Sequence, residues 1–127
     1  MATRLAERRQ MKQDILQLLD GLGRTPGSVA DSLSRSGVQG HQYSLTDCPV
    51  ARYTNAILAG DPRCGSVRVG MRHLRVGHPW RLGLRVSLPI AVRSFIMRFD
   101  EGEYPAMLAA PAQHPLLRDP LDSPTGI

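Results

Sequence analysis

The sequence predicts an α+β fold: three N-terminal helices, a three-stranded antiparallel meander and one C-terminal helix, packed together. Two patterns carry this prediction. Polar and apolar residues alternate through 66–86, which is typical of strands with one buried face. The flanking segments repeat their apolar residues at helical spacing instead. The chain of 127 residues has the length of one domain with a single core.

The first two helices are indicated by their apolar spacing and by their end signals. The first is predicted from about Thr3 to Leu22, with glycines at its end. The second is predicted from Pro26 to Ser36, because threonine is a good N-cap and proline suits the first helical position. Their predicted buried residues are Met11, Ile15, Leu18, Leu19 and Leu22, then Val29, Ala30 and Leu33.

The third and fourth helices are predicted by the same reasoning, after a polar loop that reaches Leu45. Thr46-Asp47-Cys48-Pro49 is expected to start the third helix, which would run from Asp47 to Ala59. Leu88-Pro89 opens the fourth, which ends at Asp100-Glu101-Gly102. Their predicted apolar faces are Val50, Tyr53, Ile57 and Leu58, then Val92, Phe95, Ile96 and Phe99.

The three strands are predicted at 66–69, 73–76 and 80–86, joined by turns at 70–72 and 77–79. Because successive side chains point to opposite sides of a sheet, one face is apolar and the other basic. The predicted buried face holds Val67, Val69, Leu74, Val76, Trp80, Leu82, Leu84 and Val86. The predicted exposed face holds Arg68, His73, Arg75, Arg81 and Arg85.

The predicted domain covers residues 1–110 and is followed by a flexible, proline-rich tail at 111–127. Tyr104, Met107 and Leu108 are candidates for docking onto the domain. No apolar run has the length of a signal peptide or a membrane span, so a cytoplasmic protein without a membrane partner is expected. Both cysteines are expected to be reduced, as small buried residues.

The basic character of the chain is concentrated between Pro62 and Phe99, where eight arginines occur without any acidic residue. A net charge of +5 and a pI near 10 favour an anionic partner. The arginine fork suits phosphate and carboxylate, although a high-GC coding bias also explains the preference for arginine over lysine. The exposed face would meet a nucleic-acid backbone, or it is a solvated surface, or it docks an acidic protein or the chain's own segment 100–103.

Three helices before a small sheet also suggest a winged helix-turn-helix. The helix at 26–36 would position the helix at 47–59 in the major groove, and the sheet would be the wing. Arg52 is the single cation of that proposed reader helix, beside Thr54 and Asn55. The connection at 37–46 is longer than the usual turn of three or four residues, which weakens this interpretation.

Signals of an enzyme are weak. His41, His73, His78 and His114 match no metal-ligand spacing, and there is no glycine-rich phosphate loop. Cys48 lies at a predicted helix start, where the dipole would lower a thiol pKa, with His41 seven residues upstream. A thiol nucleophile is therefore a third interpretation, behind the two binding functions. No cofactor and no metal are expected.

Short motifs at 25–33 (TPGSVADSL), 47–51 (DCPVA) and 99–105 (FDEGEYP) resemble small uncharacterised proteins of high-GC actinobacteria. The resemblance extends over most of the chain up to Leu108. It implies a bacterial cytoplasmic protein, and it brings no activity and no catalytic residue.

The sequence as a whole predicts a non-enzymatic protein that binds an anionic partner, with nucleic acid as the leading candidate. A protein–protein adaptor or accessory subunit is the alternative. The residues predicted to contact the partner are Arg68, His73, Arg75, Arg81, Arg85 and, in the helix-turn-helix interpretation, Arg52.

Overall fold

A computed structural model describes residues 2–81 and 83–109, and its element order matches the predicted α+β fold. Three helices come first, α1 (Ala2–Asp20), α2 (Pro26–Arg35) and α3 (Pro49–Leu58). The strands β1 (Val67–Val69), β2 (His73–Val76) and β3 (Leu84–Ser87) follow, and then α4 (Ile90–Asp100). The predicted flexible tail at 111–127 and the predicted burial of Leu82 lie outside the described residues.

The sheet is the antiparallel meander β1-β2-β3, and its apolar side faces the helices. Val67, Val76 and Leu84 lie opposite one another across the three strands, as do Val69, Leu74 and Val86. All six are buried. On the helices, the core residues follow the predicted helical spacing at Met11, Ile15, Leu19, Val29, Leu33, Val92, Phe95, Ile96 and Phe99.

Two helix starts show how far the cap signals in the sequence hold. Thr25 caps α2 as predicted, accepting a hydrogen bond from the backbone N–H of Ser28. The predicted start of the third helix at Thr46 is wrong, because the backbone carbonyl of Asp47 accepts from His41 N and stays outside the helix. Cys48 is the N-cap instead, with its Sγ 3.4 Å from the backbone nitrogen of Ala51.

The buried face of α3 also differs from the prediction. Val50 is buried as predicted, but Ile57 is 55% exposed. Ala51 and Thr54 take the buried positions instead, and the hydroxyl of Thr54 donates to the carbonyl of Val50. Tyr53 and Leu58 are only partly buried against the core.

The third strand is shorter than the alternation suggests, because residues 77–81 and Gly83 lie outside it. Backbone hydrogen bonds from Trp80 N to Gly77 O and from Gly83 N to Trp80 O make consecutive turns. Gly83 has a φ of +74°, outside the extended region. Trp80 is partly buried against the core, and its indole donates to the carbonyl of Arg63 at 2.6 Å. Its prediction as a strand residue is wrong, because it lies in a turn before β3.

The outer edge of β1 is covered by the chain itself. Asn55 on α3 accepts from the N–H of Val67 and donates to its carbonyl, and the carbonyl of Leu45 accepts from Val69 N. The segment after α4 folds back, so Gly40 pairs with Leu108 and Met107 is buried. These contacts fix the 38–48 loop, named here the α2–α3 loop, between β1 and the C-terminal end of α4.

Arg63 joins α1 to the segment before the sheet. Its guanidinium lies 3.0 Å from Asp14 on α1 and 2.7 Å from Asp61. Hydrogen bonds from Gln10 and then Arg63 hold the pKa of Asp14 below its ordinary value, and hydrogen bonds from Arg63 lower the pKa of Asp61. A carboxyl whose pKa is depressed by folding stabilises the fold above its ordinary pKa and loses that effect as pH falls through the folded pKa.

We therefore expect Arg63→Met to lower the free energy of unfolding at pH 7 and to matter progressively less as pH falls below about 4. The effect should stay below about 1 kcal/mol, because the three side chains are partly solvated. Urea denaturation from pH 7 to pH 3 measures it, with the exposed Arg24→Met as the control. If the difference in unfolding free energy between the wild type and Arg63→Met is the same at pH 7 and pH 3, Arg63 does not act through the carboxylates of Asp14 and Asp61.

Candidate nucleic-acid interface

The outer face of the sheet carries three arginines in a row. Arg75 on the central strand lies directly opposite Arg68 on β1 and Arg85 on β3. All three side chains are exposed, as the alternation predicts. Because neighbouring strands are about 4.8 Å apart, the row places three guanidinium groups across roughly 10 Å of surface. We call this set the arginine row.

His73 lies two residues before Arg75 and therefore shares its face of the sheet, partly buried. Partial desolvation and the nearby charges of Arg85, Arg75, Arg72 and Arg93 lower the pKa of His73 below its ordinary value of 6.5. The imidazole is accordingly neutral at pH 7, and arginine supplies the positive charge at this end of the face.

Helix α1 adds two cations that the sequence-based prediction missed. Arg8 and Lys12 line a groove together with Arg75, Arg85 and the loop residue Gly83. Arg8 donates to the carbonyl of Gly83 at 2.9 Å and lies 5.7 Å from the ring centre of Trp80. Arg8 and Lys12 are four residues apart and therefore share one face of α1. Nothing in the sequence indicates that this face lies beside β3.

The arginine row has no acidic partner among the described residues. The ion pairs found there join Arg52 to Asp47, Arg63 to Asp14 and Asp61, and Arg98 to Glu103. The acidic segment 100–103 does not neutralise the sheet, because Glu103 lies by Arg98 and the Asp100 carboxylate accepts from the N–H of Tyr43. The interpretation in which these two acids dock on the sheet is therefore wrong.

Two predicted site residues lie elsewhere. Arg81 is exposed but lies in a turn before β3, so its predicted place on a strand is wrong. The reason is that the turns closed by Trp80 N–Gly77 O and Gly83 N–Trp80 O delay the start of β3 until Leu84. Arg52 lies on α3, where its guanidinium is 3.8 Å from Asp47 and donates to the carbonyl of Gln39. The structure thus groups Arg68, His73, Arg75 and Arg85 and leaves Arg52 and Arg81 outside.

The proposed reader helix uses its polar side chains internally. Thr54 is buried and bonds to Val50, and Asn55 covers the edge of β1. With Arg52 held by Asp47 and Gln39, the three groups named for base contacts all have partners inside the protein. Thr54 and Asn55 thus serve the fold itself, and Arg52, whose side chain is 40% exposed, is the member of this set that reaches solvent.

The thiols do not show the features of a nucleophile. Burial raises the pKa of Cys48 to about 11, outweighing the hydrogen bonds from the backbone of Ala51 and Val50. The expected lowering of this pKa by the helix start is wrong, because desolvation of the thiolate dominates. Desolvation also raises the pKa of the half-buried Cys64, and the two cysteines are not joined by a disulfide.

Within the described part of the chain, no three His, Cys, Asp or Glu side chains are grouped as a metal site would require. No helix formed by these residues is both long and apolar enough to cross a bilayer. The chain matches no protein family, no curated protein and no solved structure.

We expect iodoacetamide at pH 8 to modify Cys64 slowly in the folded protein and to modify Cys48 only after unfolding. The reason is that alkylation needs the thiolate, which burial disfavours at both positions. Mass spectrometry of quenched samples shows which of the two thiols is alkylated first, and a parallel reaction in urea is the control. Rapid modification of Cys48 at neutral pH would contradict this expectation and support a nucleophilic thiol.

We also expect Arg75→Glu to stabilise the protein. Like charges directly opposite on neighbouring strands repel, and a glutamate at 75 would face an arginine on either side. Each cross-strand pair contributes about 0.2–1 kcal/mol, so the free energy of unfolding should rise by a similar amount. Denaturant titration measures it, and Arg81→Glu in the loop is the control with the same charge change. A lower stability for Arg75→Glu than for Arg81→Glu would refute the repulsion.

Proposed function

We propose that this chain is a non-enzymatic binding protein whose partner is nucleic acid, held by its phosphate backbone on the outer face of the sheet. The observation that carries the proposal is the arginine row, which has no acidic partner among the described residues. Arg8 and Lys12 on one side and Arg72 at one end extend the same basic surface, and the neutral imidazole of His73 lies beside them.

The outer face of the sheet carries more like charge than its solvation requires. Solvation alone requires polar side chains of any kind, and alternating charges would give favourable cross-strand pairs. Three arginines aligned across three strands repel one another instead. A bound polyanion removes that repulsion and releases its own counterions, which is the main source of sequence-independent nucleic-acid affinity. The repulsion in the free protein thus supports an anionic ligand.

The chemistry of the surface favours backbone contacts over base reading. Guanidinium groups bind phosphate oxygens in a bidentate manner, and at least five cations are distributed along the sheet and the flanking helix. Two grooves, named here the basic grooves, cross this surface: one is lined by Arg68, Arg72, His73 and Arg75, the other by Arg8, Lys12, Arg75 and Arg85. Their linings contain no amide and no carboxylate side chain, the groups that usually read adenine or cytosine edges. Weak sequence preference follows from this composition.

The test is binding of a labelled oligonucleotide across a salt series, measured by fluorescence anisotropy. Affinity should fall steeply with salt for the wild type. Arg75→Glu and Arg85→Glu should each weaken binding several-fold or more at low salt. Each should also reduce the log–log salt slope by about one for every phosphate that the variant no longer neutralises. Arg81→Glu should have a smaller effect, because its side chain lies off the sheet.

Arg24→Glu is the matched control, since it makes the same charge change at an exposed position that lines neither basic groove. Equal losses of affinity in Arg24→Glu and Arg75→Glu would mean that net charge alone matters. Absence of DNA and RNA binding at low ionic strength would end the proposal. An acidic protein partner would then be sought, as an adaptor function requires.

A further inference from the structure

We infer that the nucleic acid is single-stranded and that one unpaired base stacks on Tyr43 and enters the apolar pocket beside it. This inference rests on the proposed function. It starts from a pocket of about 180 Å³ between the α2–α3 loop, the β1–β2 turn and α4. Its lining is mainly apolar, with Tyr43, Leu45, Val69, Met71 and Ile96, and Ser44, Cys48, Gly70 and Asp100 complete it. That volume is below the 300–1,000 Å³ of typical drug-sized sites, so it suits a ring system and not a whole nucleotide.

The mouth of this pocket exposes large apolar side chains to solvent. Tyr43 is 78% exposed, Leu45 53% and Met71 51%. Three such side chains around one concavity form a patch that a monomeric protein seldom leaves uncovered without use. A flat aromatic ring at the rim of an apolar pocket offers a stacking surface that accepts every base.

The apolar pocket adjoins the basic surface directly. Leu45, Gly70 and Met71 line both this pocket and the neighbouring groove that contains Arg68, Arg72, His73 and Arg75. A ligand that crosses both must therefore carry a polyanionic part and an apolar planar part within a short distance. A single strand has this chemistry, because its phosphates alternate with bases that are free to turn outward. In a duplex the bases are paired and stacked inside.

Tyr43 is held in place at an energetic cost. Its φ of +55° lies in the left-handed region, which costs less energy for glycine or asparagine than for a bulky residue. The buried carboxylate of Asp100 fixes this conformation by accepting from Tyr43 N at 2.9 Å, and Gln42 donates to the carbonyls of Phe99 and Asp100. The backbone of Tyr43 is thus fixed at the rim of the pocket, while its ring stays exposed to solvent, where a base could stack on it.

The experiment compares three labelled ligands of one length, oligothymidylate, the corresponding abasic strand and a duplex, by anisotropy at low salt. Wild-type protein should bind oligothymidylate roughly ten-fold more tightly than the abasic strand. Tyr43→Ala should lose this preference while its affinity for the abasic strand is unchanged, because the arginine row is intact. Tyr43→Phe, which keeps the ring, should retain it.

Ile57→Ala is the matched control, because Ile57 is an exposed apolar residue that does not line the pocket. Circular dichroism melting confirms that each variant is folded. Equal wild-type affinity for the three ligands with a steep salt slope would overturn this inference and leave the proposed function standing. A Tyr43→Ala variant that still prefers bases would overturn it as well. Failure of the wild type to bind any of the three ligands would remove the proposed function itself.

Discussion

The register of the three-stranded sheet is the constraint on which the rest of this structure depends. It aligns Val67, Val76 and Leu84 beneath the sheet, where they join the core. The same register necessarily aligns Arg68, Arg75 and Arg85 above it. A slip of one residue would bury the arginines and expose the valines, which makes the register strongly specified. Packing of the core therefore determines how closely the cations approach one another, and their repulsion is a consequence that the fold tolerates.

Acidic residues are arranged so that they do not relieve this repulsion. Asp14 and Asp61 bind Arg63, which ties α1 to the segment before β1, and the carbonyl of Arg63 holds the indole of Trp80. Because Trp80 in turn lies beneath Arg8, this cluster also determines where the cations of α1 meet the edge of β3. These ion pairs thus stabilise the segments around the basic surface. Among the described residues, none of them neutralises the arginine row.

The sequence predicts this architecture well where local signals agree with tertiary packing. Period-two alternation locates β1 and β2 and assigns Arg68, Arg75 and Arg85 to the outer face. It fails at Trp80, which continues the alternating pattern but lies in a turn before β3, where its indole donates to the carbonyl of Arg63. The cap signal fails at Thr46, which is a good N-cap in isolation, because the α2–α3 loop already uses the carbonyl of Asp47 and Cys48 caps the helix instead. The place of Arg8 and Lys12 beside the sheet depends on helix packing, which no local pattern contains.

Two independent costs meet on adjoining parts of one surface. Repulsion along the arginine row is electrostatic, whereas the left-handed conformation of Tyr43 is a backbone strain maintained by Asp100. Either cost alone has a simple explanation, the first in a basic composition and the second in a tight loop. The pocket beside Tyr43 and the groove beside Arg68 and Arg75 share Leu45, Gly70 and Met71, so a ligand bound in the groove would lie next to the exposed ring. Stability sacrificed at two neighbouring places for unrelated physical reasons is typical of a binding site, and a merely solvated face gives no reason for the second.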